Sequence, residues 1–202
     1  IVALAIGLMA MLLLTVTRGE LLEAWQKGMP IDAPNRFIIN IQPEQREAIS
    51  TVLKASGIEA ELLPMIRGRL VQIGGKAVSP ESFPEDERAQ RLIEREFNLS
   101  WRKDLPAGNQ VVTGQWFKAE QAGQGVASVE EGLAKTLGIR LGDELVFMIA
   151  GTEKRLQVSS LRKLAWDSMR VNFFVMAPPG VIEDAPASYI TSFYLPPGRD
   201  RL

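Results

Sequence analysis

The chain has 202 residues, 46% hydrophobic and 23% charged, with a formal net charge of −1 from 23 basic and 24 acidic side chains. That length suits one core or two small ones, and the charge balance excludes the basic footprint that nucleic-acid phosphates require. With no Cys and no His, thiolate and imidazole metal sites and every nucleophile–His arrangement are excluded, so no enzyme activity, metal or cofactor is expected.

Residues 1–17 hold no charge and are apolar around the whole helical circumference. At 1.5 Å per residue such a helix covers about 25 Å of a bilayer core of about 30 Å. It reads as the end of a transmembrane helix rather than a signal peptide, because the run is long and lacks a small-residue cleavage site. The helical period continues past Arg18 through Leu21, Leu22 and Trp25 as a short stalk and should stop near Gly28, ahead of Pro30 and Pro34. Trp25 is the candidate interface anchor.

Arg36 to Ile41 predicts a strand, and Pro43 to Ser56 a helix with Ala48, Ile49, Val52 and Leu53 on its buried face and Gly57 as its stop. Ile58 to Ile73 predicts one bent strand or two, broken near Pro64 and Gly68, which completes a β-α-β unit of ferredoxin-like character. A polar loop from Gly74 to Pro84 leads into a charged helix over Glu85 to Glu96, anchored by Leu92 and Ile93 and otherwise solvated. Asn98 to Trp101 and Gln110 to Trp116 predict strands, and Lys118 to Ala127 is a turn-rich boundary.

Ser128 followed by Glu131 predicts a capping box, opening a helix that buries Leu133, Ala134 and Leu137 and closes at Gly138. A turn at Leu141-Gly142-Asp143 precedes a hairpin of Glu144 to Ala150 and Lys154 to Leu164 across Gly151-Thr152. Strands at Val171 to Ala177 and Ser188 to Leu195 flank Pro178-Pro179-Gly180. The expected organisation is α+β: residues 1–23 a transmembrane helix end and stalk, 24–122 an α+β lobe, 123–198 a mostly β lobe with one capped helix, and 199–202 a lead-in to a further membrane helix.

The chemical motifs are poor. Gly123-Gln124-Gly125 lacks the remaining residues of a dinucleotide or phosphate loop, Asn98-Leu99-Ser100 is an incidental glycosylation match, and the acidic pairs Glu130-Glu131 and Glu183-Asp184 point apart rather than forming an acid–base couple. The one cluster of interest is Arg162, Lys163, Trp166, Asp167 and Arg170, since aromatic and Arg groups commonly build partner surfaces. The simpler alternative is that Trp166 packs into the core while the charges sit in water.

Three segments, APNRFIINIQPEQ (33–45), SVEEGLAKTLGIRLGDELVF (128–147) and SLRKLAWDSMRVNFFVMAPPGV (160–181), together with the opening ALAIGLMAMLLLTVTRGELLEAW, resemble the extracytoplasmic domain of FtsX/MacB-like ABC transporter permeases. The resemblance implies a MacB-like periplasmic core of two lobes, one porter-like, in the inner membrane of a bacterium. It further implies mechanotransmission: a cytoplasmic ABC ATPase subunit closes on ATP and stalk helices carry the motion to a domain that handles a hydrophobic or lipid-like substrate. The implied partners are that ATPase, the membrane and a periplasmic esterase or lysophospholipase. The alternative it leaves open is a regulatory scaffold that activates such a hydrolase. No catalytic or substrate-contacting residue is implied.

Overall fold

The computed structural model describes residues 6–7, 9, 11–20, 33–196 and 198, in two compact units, Ile1–Ala33 and Pro34–Leu202. In the first unit residues 11–20 are helical, with Met11 73% and Leu14 71% exposed. The Thr15 and Thr17 hydroxyls donate to the Met11 and Leu13 carbonyls one turn back, which satisfies these polar groups within the helix itself. Among the described residues no helix is long and apolar enough to cross a membrane. The stalk with Trp25, the stop near Gly28 and the 199–202 lead-in lie outside the described residues.

The second unit is α+β. It opens with β1 (Arg36–Ile41), a 3-10 turn at Pro43–Gln45, α1 (Arg46–Ala55) and β2 (Leu63–Ile73). β1 and β2 do not pair with each other. The last strand, β10 (Ser188–Phe193), lies between them and is antiparallel to both, making a split β-α-β unit. Its core is Leu53, Ile58, Phe193 and Leu195, with Ile38 and Ile49 against them. Val52, expected on the buried face of α1, is 56% exposed, so the buried stripe is narrower than the periodicity suggested. Asn35 clasps the two ends of this layer: its amide donates to the Leu195 carbonyl at 2.9 Å and accepts from the Leu195 N–H at 2.8 Å.

The remaining strands are β3 (Lys76–Ala77), β4 (Phe97–Trp101), β5 (Asn109–Gly114), β6 (Val126–Glu130), β7 (Glu144–Ile149), β8 (Thr152–Leu164) and β9 (Val175–Ala177). Six strands close a ring: β2 pairs with β4, β4 with β9, β9 with β6, β6 with β8, β8 with β7, and β7 with β2. The β4–β9 and β6–β8 pairs are parallel and the other four antiparallel. Closure removes the unpaired edges that an open sheet would present. β5 adds to β8 outside the ring. Strand pairing crosses the expected 122/123 boundary at β2–β7, β4–β9 and β5–β8.

Leu70, Leu99, Val129, Leu145, Phe147, Leu156, Val158 and Val175 are all buried in the main core, where each such side chain contributes about 1.5–3 kcal/mol by leaving water. β8 alternates strictly, with Leu156, Val158, Ser160, Arg162 and Leu164 all buried, the period-2 signature of a strand with one inward face. Two glycines permit close contacts. A Cβ on Gly68 would lie 2.9 Å from Ile149 Cγ1, and one on Gly114, at φ +78°, would lie 2.2 Å from the Ser159 carbonyl oxygen.

Helix ends differ from expectation in instructive ways. The charged helix is shorter, α2 (Glu87–Glu94), with Asp86 accepting from the Arg88 and Ala89 N–H groups. The capping box of Ser128 and Glu131 does not form. β6 runs through to Glu130, Ser128 is a strand residue whose hydroxyl accepts from Ser160 Oγ at 2.8 Å, and Glu130 itself caps α3 (Glu131–Leu137), accepting from Gly132 N–H at 2.8 Å and Leu133 N–H at 2.6 Å. The closing residue is Gly138, in the left-handed region as expected. The hairpin turn is Ala150-Gly151, one residue earlier than expected, with both residues at positive φ (47° and 83°).

Candidate functional site

Two of the four residues singled out from the sequence, Trp166 and Arg170, are exposed. Trp166 opens a 3-10 turn (Trp166–Ser168) at the end of β8 and is 52% exposed. Its ring tilts against Phe174, centroids 5.4 Å apart. Phe174 stands edge-on to Phe97 at 6.5 Å, and Phe97 edge-on to Phe147 at 6.3 Å, so a file of rings runs from the surface into the core. The Arg95 guanidinium lies over both Phe97 and Phe174, at 5.8 and 5.5 Å, a cation–π placement. Exposed Arg170 and Met169 continue this surface in sequence. Neither core packing nor simple solvation describes Trp166: one side rests on Phe174 and the other half meets water.

Arg162, expected at the same surface, is not there. It is fully buried, because it occupies the inward phase of β8. One Nη group donates to the Phe173 carbonyl, while Nε and Nη1 have no hydrogen-bond partner. Burial pushes the guanidinium pKa down to about 10, opposed by the Glu130 carboxylate beside it in the β6–β8 register. Its effect on the surface is indirect. Arg162 holds the Phe173 carbonyl and the Glu130 N–H donates to the Phe174 carbonyl at 2.8 Å, so the segment carrying Phe174 is fixed from beneath. Only Val175–Ala177 of the expected Val171 to Ala177 strand is regular; the Glu130–Phe174 bond extends its pairing with β6 by one rung, and the Phe173 carbonyl before it is taken by Arg162.

Arg95 was missed from the sequence because its helix reads as solvated. The alternation Arg95-Glu96-Phe97, entering a strand, is the signal that could have placed it over a ring. Beside Arg170 lies a small cleft of about 150 Å³ lined in part by Glu61, Arg102, Arg170 and Ser192, where Arg102 pairs with Glu61 at 2.6 Å. Trp101 is half-buried against the core, and Trp116 is half-buried with its indole N–H on the Lys103 carbonyl at 2.9 Å. Trp25 lies outside the described residues. Among the described residues no group of three or more carboxylates converges as a metal site would require. The arrangement is an aromatic platform with the Arg95 guanidinium over it.

No protein-family model matches the chain. A domain assigned to a permease protein of Porphyromonas gingivalis, known from a crystal structure, aligns at 13% identity over 73% of this chain and 67% of that one, with a TM-score of 0.37, a likeness too low to carry an argument. The sequence similarity is much stronger. The chain is 40% identical over 193 residues, 95% of its length, to an uncharacterized ABC transporter permease, YbbP, of Escherichia coli strain K12, and spans 22% of that protein. The chain is therefore related, along nearly all of its length, to one segment of an ABC transporter permease of the YbbP type.

Proposed function

We propose that this chain is the extracytoplasmic part of an ABC transporter permease subunit and that it transmits motion rather than performing chemistry. A cytoplasmic ABC ATPase subunit closes on ATP, the apolar N-terminal helix carries the movement across a bacterial inner membrane, and the 34–202 unit, facing the periplasm, helps extract or release a hydrophobic or lipid-like substrate. The observation that carries this reading is the 40% identity over 193 residues with a permease. The apolar, exposed side chains of the described N-terminal helix support its membrane part, since a helix apolar on all sides needs an apolar surrounding. The exposed Trp166 platform with Arg95 favours a second reading, in which the same motion is delivered to a bound periplasmic hydrolase such as an esterase or lysophospholipase.

The test is to purify the full-length parent permease gently from its membrane, identify what accompanies it, and compare ATPase turnover with and without residues 34–196. A co-purifying ATPase whose turnover changes severalfold on deletion is expected. Absence of any ATPase, or turnover indifferent to the deletion, sinks the permease reading. Loss of a co-purifying hydrolase on Trp166→Ala, with the ATPase retained, selects the scaffold reading.

A further inference from the structure

The turn-rich segment that separates β5 from β6 serves no role in the surface above, yet it builds a pocket. Its 3-10 turn, Ala119–Gln121, faces the Pro178-Pro179-Gly180 turn, and the two are tied by the Gly123 N–H donating to the Pro179 carbonyl at 2.8 Å. Between them lies a cavity of about 250 Å³ whose walls include Phe117, Ala119, Ala122, Pro178 and Pro179. Phe117 is buried and packs against Trp116, ring centroids 4.4 Å apart and tilted by 39°; Trp116 in turn holds the backbone of Lys103. The only charged side chains lining the pocket are exposed Lys103 and Lys118. Among the described residues neither takes part in an ion pair, and no carboxylate lines the pocket.

We infer that this pocket binds a free single-chain anionic amphiphile, its tail against Phe117 and the two prolines and its head group between Lys103 and Lys118. Size selects the tail. At about 30 Å³ per water-sized group the cavity takes roughly eight heavy atoms, which suits a medium-length acyl or alkyl chain and is too small for a sterol or a two-chain lipid. Charge selects the head: two ammonium groups at an apolar mouth favour a carboxylate or phosphate and disfavour a cationic amphiphile of equal length. The inference rests on the hydrophobic-substrate reading for its relevance to transport, but binding is measured on this chain by itself.

The full chain, labelled at alanine methyls and held in zwitterionic nanodiscs, is titrated with decanoate and, separately, with decyltrimethylammonium. Saturable shifts confined to the methyls around the pocket, chiefly Ala119 and Ala122, are expected with decanoate, at least tenfold weaker with the cationic analogue. The Lys103→Glu/Lys118→Glu double variant, changed only at exposed positions, should weaken decanoate at least tenfold. Ala122→Trp should abolish it by filling the cavity. No shift at Ala119 and Ala122, equal response to both amphiphiles, or the same shifts produced by anionic phospholipid nanodiscs without decanoate would overturn the inference, the last because it would assign the lysines to a membrane surface. ATPase turnover of the parent permease is a separate readout, so failure here leaves the coupling test standing.

Discussion

Replacing Arg162 by Met isolates what the buried guanidinium contributes. The fall of its pKa from the ordinary arginine value to about 10, at about 1.4 kcal/mol per tenfold change in proton affinity, corresponds to about 3 kcal/mol by which the folded protein disfavours the charged form. Met removes that cost and keeps most of the volume. It also removes the charge-assisted hydrogen bond to the Phe173 carbonyl, about 1.5–3 kcal/mol, and leaves that oxygen without its partner. The effects nearly cancel, so R162M is expected within about 1.5 kcal/mol of the parent in urea unfolding followed by circular dichroism at neutral pH. R162A opens a cavity besides and should fall about 2–5 kcal/mol below R162M. The pH dependence has a defined sign. Because the folded-state value is the lower one, the unfolded chain binds more protons from about pH 10 up to the ordinary arginine value, so the parent gains stability as pH rises through that window, and R162M lacks the gain. A loss of about 4 kcal/mol or more in R162M at neutral pH would refute the reasoning, since it would mean the guanidinium is favourably paired inside the fold despite its two unpartnered nitrogens.

Ala150 holds positive φ in a two-residue hairpin turn whose geometry favours Gly or Asn, so Ala150→Gly should stabilise by about 0.5–1 kcal/mol, read as a raised midpoint in thermal unfolding; an unchanged or lowered midpoint contradicts the turn assignment. Glu130→Ala removes both acceptors at the start of α3 and should cost about 1–2 kcal/mol in the same measurement, with Glu130→Gln intermediate. If Ser128→Ala proves costlier to the amide protection of α3 than Glu130→Ala, the capping residue has been misplaced.

What was legible in the sequence was local. The alternation of Glu144 to Ala150 and Lys154 to Leu164 marked β7 and β8 to within a few residues, and Gly138 marked the end of α3. The burial of Arg162 was legible too, had the phase set by Leu156, Val158 and Leu164 been carried through; its pairing with Lys163 in sequence drew it to the surface instead. The capping box failed because Ser-x-x-Glu is a pattern of four residues and says nothing about the strand that Ser128 shares with Ser160. Ring closure was out of reach, since it depends on β4 lying beside β9 and β6 beside β8, contacts between segments tens of residues apart. The platform of Trp166, Phe174 and Arg95 has the same origin: three short segments, each unremarkable alone, meet only after the ring has closed.

The Asn35 clasp and the β1–β10 ladder have a mechanical meaning. Arg36 sits opposite Phe193, and the strands run antiparallel, so the unit's first strand and its last leave the fold side by side. Pulling the two flanking segments apart would load the ladder like a zipper, parting its hydrogen bonds in succession from the Asn35 end. Moving both segments together would load none of them. A domain held this way rides as a rigid passenger when its two supports travel in concert, and registers strain at one identifiable seam when they separate.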